Sequence, residues 1–173
     1  MTDRFVFDAG PLLAFARVRR LDLLEARYAG RALWTVEVRD EIQRALASIP
    51  PLGGILRADW LGEPVRMTDP ADLVEIERLR RALGGTAEQP LRHLGEAATL
   101  VLARREGATA VLDDRDARRL AHALGVPLTG TLGILRACAR AGLLSPEEAW
   151  AIVEQMKSTG ARFPPDVGPQ WFV

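Results

Sequence analysis

The stretch 93–135 constrains the fold of this chain more than any other part of the sequence. It contains a predicted helix from His93, a short apolar run at 109–112, a second helix, another short run at 126–128 and a third helix. Short strands that alternate with helices of about ten residues are typical of a parallel sheet covered by helices. Ligands of such sheets bind beyond the carboxyl ends of the strands. Asp113 and Asp114, which follow the run at 109–112, are therefore the first candidates for a functional site.

The rest of the chain repeats this pattern of short strands and helices. Apolar runs at 5–7, 32–34 and 65–67 predict three more strands, each followed by a stretch with helical periodicity. The segments 50–62 and 86–92 are predicted to be loops. A length of 173 residues with 48% hydrophobic residues fits one α/β domain. We assign this domain to residues 1–158 and expect an irregular C-terminal tail at 159–173.

Charge and cysteine content exclude several classes of site. The chain has 23 basic and 23 acidic residues, so nucleic acid can be attracted only by local patches of charge. Cys138 is the only cysteine, which excludes an intrachain disulfide and a thiolate metal site, and favours a small core residue. The sequence has neither a signal-peptide pattern nor an apolar run of about 20 residues. We therefore expect a cytoplasmic protein without a membrane segment.

Acidic side chains stand at several positions that a parallel fold would bring together. Asp8 ends the first strand, Glu41 and Glu96 lie on helices, and Asp114 ends the fourth strand, with Asp116 close behind it. Buried carboxylates are costly unless they are paired or bind a metal ion, and the sequence offers no obvious cationic partner pattern. A site with oxygen ligands alone favours Mg²⁺ or Mn²⁺. Such an ion can polarise a phosphodiester and activate a water molecule.

Each acid also has a simpler interpretation when it is taken alone. Asp8 precedes Gly-Pro and fits a turn, Glu41 and Glu96 fit exposed helix positions, and Asp114 fits a helix N-cap. It is their joint arrangement that favours a metal site.

The basic and aromatic residues have two interpretations as well. The arginines of the helix at 115–124 fit either a solvated face or contacts with RNA phosphates. His93 and His122 are predicted to be surface residues, and their spacing does not predict a catalytic pair. Trp171 in the tail is predicted either to pack back onto the domain or to bind a partner chain. The arginines concerned are Arg115, Arg118 and Arg119.

Five segments together resemble the PIN-domain ribonucleases, including the toxins of bacterial VapBC toxin–antitoxin pairs. They are FVFDAGPLLAF at the N-terminus, VRDE at 38–41, LGEAATLVLA at 94–103, VLDDRDARRLA at 111–121 and PLTGTLGIL at 127–135. The resemblance implies a three-layer α/β sandwich with a central parallel sheet of about five strands in the order 3-2-1-4-5. It also implies Mg²⁺ or Mn²⁺ as cofactor, RNA as substrate, a homodimer and, for a toxin, a small antitoxin protein as partner.

The same resemblance assigns roles to the acids. Asp8, Glu41, Glu96 and Asp114 match the catalytic acids of the family, and the metal ligands would be Asp8, Glu96, Asp114 and Asp116. Gly10 stands where the family often has Ser or Thr. We therefore predict a metal-dependent endoribonuclease, with a catalytically inactive RNA-binding or protein-interaction module as the alternative.

Overall fold

A four-stranded parallel sheet forms the centre of the molecule. The computed structural model describes residues 3–173, so the first two residues of the predicted domain at 1–158 lie outside the described chain. The strands follow one another across the sheet in the order β2-β1-β3-β4. All pairs are parallel, and Phe7 of the first strand lies opposite Val111 of the third. The strands are β1 (Phe5–Phe7), β2 (Ala32–Leu33), β3 (Thr109–Val111) and β4 (Leu128–Thr129).

The predicted order of strands is confirmed, with one strand reduced to a single bridge. The run at 65–67, predicted to be a strand, pairs only through Val65, which bridges to Thr35 beyond the end of β2. The segment that contains Thr35 becomes helical at Val36, so it offers no further extended backbone to residues 66 and 67. The last strand also begins two residues later than predicted, at Leu128.

Nine α-helices surround the sheet in the described chain, together with three short 3₁₀ helices. The α-helices are α1 (Ala9–Arg17), α2 (Leu21–Tyr28), α3 (Val36–Ala45), α4 (Gly53–Leu56), α5 (Pro70–Ala82), α6 (Leu94–Glu106), α7 (Arg115–Ala123), α8 (Thr131–Arg140) and α9 (Pro146–Ser158). The 3₁₀ helices are Pro50–Leu52, Asp59–Leu61 and Pro169–Phe172.

The sheet separates two hydrophobic cores, as expected for a three-layer fold. Neighbouring strand residues point to opposite faces, so Phe7 and Val111 join one core while Val6 and Ala110 join the other. Helices α1, α2, α8 and α9 contribute to the first core, and α5, α6 and α7 to the second. Burial of each large apolar side chain stabilises the fold by about 1.5–3 kcal/mol. The prediction that Cys138 is a core residue is confirmed, because it is buried in the first core.

The segment 50–62, predicted to be a loop, is instead folded against the first core. It contains two 3₁₀ turns and the four-residue helix α4, and Leu52, Ile55 and Leu61 are buried. The indole Nε1 of Trp34 also donates a hydrogen bond of 2.9 Å to the Gly62 carbonyl oxygen. The loop prediction rested on local Gly and Pro content and missed this tertiary burial.

The C-terminal residues 159–173 pack against α8 and α9. They end in the 3₁₀ helix Pro169–Phe172, and Phe172 is only 2% exposed. The expected irregular tail therefore contains an ordered turn that contributes to the first core. Within the described part of the chain, no helix combines the length and hydrophobicity needed to cross a membrane.

Candidate functional site

Asp8 lies at the carboxyl end of β1 and forms the N-cap of α1. Its backbone N–H donates to the Val111 carbonyl of β3 at 3.1 Å, which continues the parallel ladder by one bond. Its Oδ2 accepts a long hydrogen bond of 3.5 Å from the Gly10 N–H. The residue is 5% exposed, and its Oδ1 has no hydrogen-bond partner among residues 3–173. The sequence thus places a buried, half-satisfied carboxyl group at the central strand end.

Helices α3 and α6 bring two further carboxylates to Asp8. The two helices approach closely at Gly95, where an added Cβ atom would lie 2.7 Å from Glu41 Oε2 and 3.5 Å from Asp8 Oδ1. A side chain at position 95 would therefore collide with Glu41. Glu96 follows directly in the first turn of α6 and is partly buried. The absence of a side chain at Gly95 is what allows these carboxylates to share one region.

Burial and neighbouring negative charge raise the pKa of two carboxyl groups in this region, Asp8 and Glu41. Burial raises the pKa of Asp8 well above its usual value, and the negative charges of Glu96 and Glu41 raise it further. The pKa of Glu41 is raised too, first by burial and then by the charge of Glu96. Desolvation and like charges both disfavour the ionised form of a carboxyl group. The negative charges of Asp8, Glu41 and Glu96 therefore lie close together, and we call these three residues the acidic cluster.

His93 adjoins the acidic cluster, contrary to the prediction that it is a surface residue. It is the N-cap of α6, and its left-handed backbone, with φ of 60°, introduces the helix. Its side chain and that of Glu96 are each 20% exposed, and His93 Nδ1 lies 3.5 Å from Glu96 Oε1. Because His93 Nε2 accepts a 3.1 Å hydrogen bond from Arg92 Nε, the hydrogen-bond network assigns the proton of the neutral ring to Nδ1. His122 is exposed, as predicted.

The acids that follow β3 have different surroundings. Asp114 is exposed and caps α7, because its Oδ1 accepts a 2.8 Å hydrogen bond from the Ala117 N–H. The Asp116 side chain is 68% exposed and lies 3.5 Å from Arg119. Asp113 is bound at both oxygens by Thr131, through its backbone N–H at 2.8 Å and its hydroxyl at 2.6 Å. Of the predicted site residues, the fold brings Asp8, Glu41 and Glu96 together. Asp114 and Asp116 lie instead at the exposed N-terminal end of α7.

The acidic cluster does not close around one point. Among residues 3–173, no three His, Cys, Asp or Glu side chains lie close enough together to hold one metal ion. The donor chemistry nevertheless fits a hard cation, because all donors are carboxylate oxygens and one of them, Asp8 Oδ1, is buried without a partner.

A cleft of about 910 Å³ adjoins this region on the side of Gly10 and Asp113. All three arginines that were candidates for RNA binding line it, and Arg118 is held in place by a 2.8 Å hydrogen bond to the Leu112 carbonyl. An added Cβ at Gly130 would lie 2.8 Å from that carbonyl and 2.7 Å from Asp113 Oδ1. Only glycine fits this junction between β4 and α8. The three arginines that line the cleft and were candidates for RNA binding are Arg115, Arg118 and Arg119.

The comparison with protein families identifies the fold. The family model DUF3368, which is described as a PIN domain, matches residues 4–171. This chain belongs to the PIN-domain family. No curated protein and no solved structure matches it significantly. The match confirms the resemblance found in the sequence, and the parallel sheet with helices on both faces agrees with a PIN fold.

PIN domains are generally nucleases, so this fold is a nuclease-like one. In this PIN domain, sequence patterns did not reveal the residues whose role depends on the close packing of two elements or on distant parts of the chain. Gly95 and Gly130 gave only a weak signal, as glycines next to Glu96 and within the segment PLTGTLGIL. Arg17 and Arg162, which line the cleft from opposite ends of the chain, gave none.

Proposed function

We propose that this PIN domain is a metal-dependent endoribonuclease whose catalytic acids are Asp8, Glu41, Glu96 and Asp114. The observation that carries the proposal is the burial of the Asp8 carboxyl group beside two other acids. Its Oδ1 is buried without a partner, and the charges of Glu96 and Glu41 raise its pKa. A buried, like-charged group of this kind is unfavourable by itself, and a bound cation relieves both burial and repulsion.

Carboxylate oxygens alone suit Mg²⁺ or Mn²⁺. In the proposal, Asp8 and Glu96 supply ligands from the acidic cluster, and Asp114 supplies one from the neighbouring strand end. Asp116, the remaining candidate ligand, lies in the first turn of α7, and its side chain is 68% exposed. A divalent ion bound to these oxygens would polarise the phosphodiester and lower the pKa of an attacking water.

In the proposal, three arginines bind and orient the RNA. Arg115, Arg118 and Arg119 line the cleft next to the acids, and guanidinium groups match phosphate oxygens through paired hydrogen bonds. Arg118 is the best positioned of the three, because its hydrogen bond to the Leu112 carbonyl fixes it at the end of β3. We propose that these arginines hold the RNA backbone while the acids act on one phosphate.

Incubation with a mixed RNA pool in Mn²⁺, Mg²⁺ or EDTA tests the activity. We expect cleavage in either metal, none in EDTA, and products with a 5′-phosphate and a 3′-hydroxyl. Asp8→Asn should reduce the rate by at least about 100-fold, a typical cost of losing one group that stabilises transition-state charge. Asp22→Asn, which changes an exposed acid on α2, is the matched control and should retain activity.

Mass spectrometry of the fragments separates this chemistry from attack by the ribose 2′-hydroxyl. His93→Ala and His122→Ala should give the same product ends as the wild type. A 2′,3′-cyclic phosphate formed in EDTA would contradict the proposal, because it would place catalysis outside the acids.

The alternative function is a catalytically inactive module that binds RNA or protein. Two observations favour it: the acidic cluster does not close around one point within residues 3–173, and Gly10 lacks a hydroxyl. An added Cβ at Gly10 would lie 3.7 Å from Asp8 Oδ2, an ordinary van der Waals contact, so no steric clash of a Cβ atom explains the glycine. RNA binding without cleavage in either metal would support this alternative.

The toxin role and the homodimer are part of the proposal as well. Exposed apolar side chains on α5, Leu73 and Val74, offer contact surface for a second copy or for an antitoxin. Light scattering of the purified protein tests the homodimer, with the monomer mass as the contrary result. Growth arrest on expression, relieved by a small co-purifying protein, is expected for a toxin. Unchanged growth would contradict that role.

A further inference from the structure

The cleft beside the acidic cluster is assembled from three distant parts of the chain. Leu13 and Arg17 of α1 form one side, α7 and the residues around Gly130 form another, and the C-terminal segment forms the third. Its volume of about 910 Å³ lies in the range of sites that enclose a drug-sized molecule. It is therefore large enough for an unpaired nucleotide.

The polar lining of the cleft is strongly cationic. Five arginines line it, whereas Asp113 is its one acidic lining residue in the described chain, and both oxygens of Asp113 are already bound by Thr131. Arg119 has only a 3.5 Å contact with Asp116, and both side chains are exposed. Since the whole chain has a formal net charge of zero, this positive charge is a local feature that favours an anionic ligand. The arginines are Arg17, Arg115, Arg118, Arg119 and Arg162.

The apolar lining includes two aromatic rings from the C-terminal segment. Phe163 and Trp171 are both partly exposed and lie in the cleft wall with Leu13, Leu128 and Leu132. Phe172, the neighbour of Trp171, is buried in the first core and anchors this wall. Aromatic rings in a cationic groove bind nucleic-acid bases by stacking.

We propose that this cleft binds an unpaired stretch of single-stranded RNA, with a base against Phe163 or Trp171 and the flanking phosphates on the arginines. The identity of the strand as RNA rests on the proposed function. Bases of a duplex are stacked inside the helix and do not reach such rings, so the cleft selects unpaired strands. An acidic peptide would satisfy the arginines but would leave the aromatic wall without a stacking partner.

Fluorescence anisotropy with a labelled 12-nucleotide RNA in EDTA tests the cleft without requiring cleavage. We expect the single strand to bind at least tenfold more tightly than its duplex. Arg162→Gln and Arg115→Gln should weaken binding and each reduce the dependence of log K on log salt by roughly one. Arg140→Gln, an exposed arginine at the end of α8, is the control and should bind as the wild type.

The tryptophans provide a second, matched measurement. Trp171→Ala should weaken binding roughly tenfold, within the range expected for one stacked base. Trp171→Phe keeps an aromatic ring, so it should retain most of the affinity while losing the quenching of tryptophan fluorescence by RNA. Trp150→Phe changes another partly buried tryptophan, which lies under Lys157, and should retain both affinity and quenching. If Trp171→Ala does not fold, Trp171→Phe and Phe163→Ala carry the test.

Each outcome assigns the failure to one proposal. Unchanged affinity in the arginine and aromatic variants of a protein that cleaves RNA would overturn the cleft and leave the proposed function intact. Tight, cleft-dependent binding without cleavage in Mn²⁺ would overturn the ribonuclease and leave the cleft. Tighter binding of the duplex, of single-stranded DNA or of a polyglutamate peptide would overturn the choice of single-stranded RNA.

Discussion

Asp8 and Asp114 both cap helices that follow neighbouring strands, and yet they have opposite surroundings. Each follows a short apolar strand, β1 or β3, and each forms the N-cap of the next helix. Asp8 is buried beneath α3 and α6, which bring Glu41 and Glu96 to it, whereas Asp114 is exposed. The chemistry of a strand-end carboxylate is thus set by the helices that cover it rather than by its local sequence.

The two residues also contribute differently to stability. Asp114 accepts a good hydrogen bond from the Ala117 N–H at 2.8 Å, which satisfies one free N–H group of α7. Asp8 accepts only a 3.5 Å bond from Gly10 and loses solvation, so its charge is unfavourable in the metal-free protein. We therefore expect Asp114 to stabilise the fold and the ionised form of Asp8 to destabilise it.

The largest expected effect is stabilisation by Mn²⁺. A ligand that binds only the folded state at a hundredfold excess over Kd stabilises it by about 2.7 kcal/mol. For a chain of this size, that corresponds to a rise in Tm of about 5–10 °C. Asp8→Asn should abolish most of the rise, as should Asp114→Asn if the two strand ends share the ion. Differential scanning calorimetry measures the effect, and equal Mn²⁺ affinity in the wild type and both variants would refute the site.

A smaller effect concerns stability against pH in EDTA. The pKa of Asp8 is raised in the folded state, so the folded protein binds this proton more tightly than the unfolded chain does. The contribution of Asp8 to stability therefore falls as pH rises from about 4, the unfolded pKa, towards the folded pKa. Asp8→Asn should be more stable than the wild type at pH 7, by about 1.4 kcal/mol for each unit of pKa shift. The difference should vanish below pH 4.

Asp114→Ala is the matched contrast in the same urea denaturation series. It removes a cap without relieving a buried charge, so the free energy of unfolding should fall by about 1 kcal/mol. A loss of stability in Asp8→Asn at pH 7 would show instead that the Asp8 carboxylate is a structural acceptor, and the contrast between the two acids would then be lost.

The smallest effect on stability is expected for Gly95→Ala. Alanine favours the helix by about 1 kcal/mol, and this gain opposes the displacement of Glu41, whose carboxylate oxygen lies 2.7 Å from the new Cβ position. The net change in Tm should be small, while the Mn²⁺ affinity falls because the negative charge of Glu41, although not a ligand in the proposal, moves away from Asp8.

A double-variant cycle checks this coupling. Adding Gly95→Ala to Glu41→Ala should cause no further loss of Mn²⁺ affinity, because the displaced group is already absent. A full additional loss would mean that Gly95 acts on the site by another route.

The sequence predicts those parts of the molecule that depend on local pattern. The positions of the strands, and of Asp8 and Asp114 near their carboxyl ends, follow from apolar runs that alternate with helices, whereas the strand order came from the resemblance to the PIN-domain family. Local chemistry also sets the start of α9, where Ser145 and Glu148 form both hydrogen bonds of a capping box. These features follow from local pattern because hydrophobic periodicity and cap chemistry act over a few residues.

Features that depend on tertiary approach were not predictable in the same way. The burial of segment 50–62, the position of His93 next to Glu96 and the contact between Gly95 and Glu41 all require the packing of distant helices. The cleft is the clearest case, because Arg17 and Trp171 meet only in the folded chain. Neither residue belongs to any motif that the sequence analysis recognised.

The C-terminal segment has an evolutionary consequence that follows from its two-sided role. Phe172 is held in the core while Trp171 faces the cleft, so the backbone is fixed and its outer side chains are left to vary. If the cleft binds RNA as proposed, substitution at Arg162, Phe163 or Trp171 would alter the molecules that it retains without altering the carboxylates beside it. Selection can therefore retarget such a protein by changing a short stretch of chain, and close relatives can diverge in preference while their chemistry stays the same.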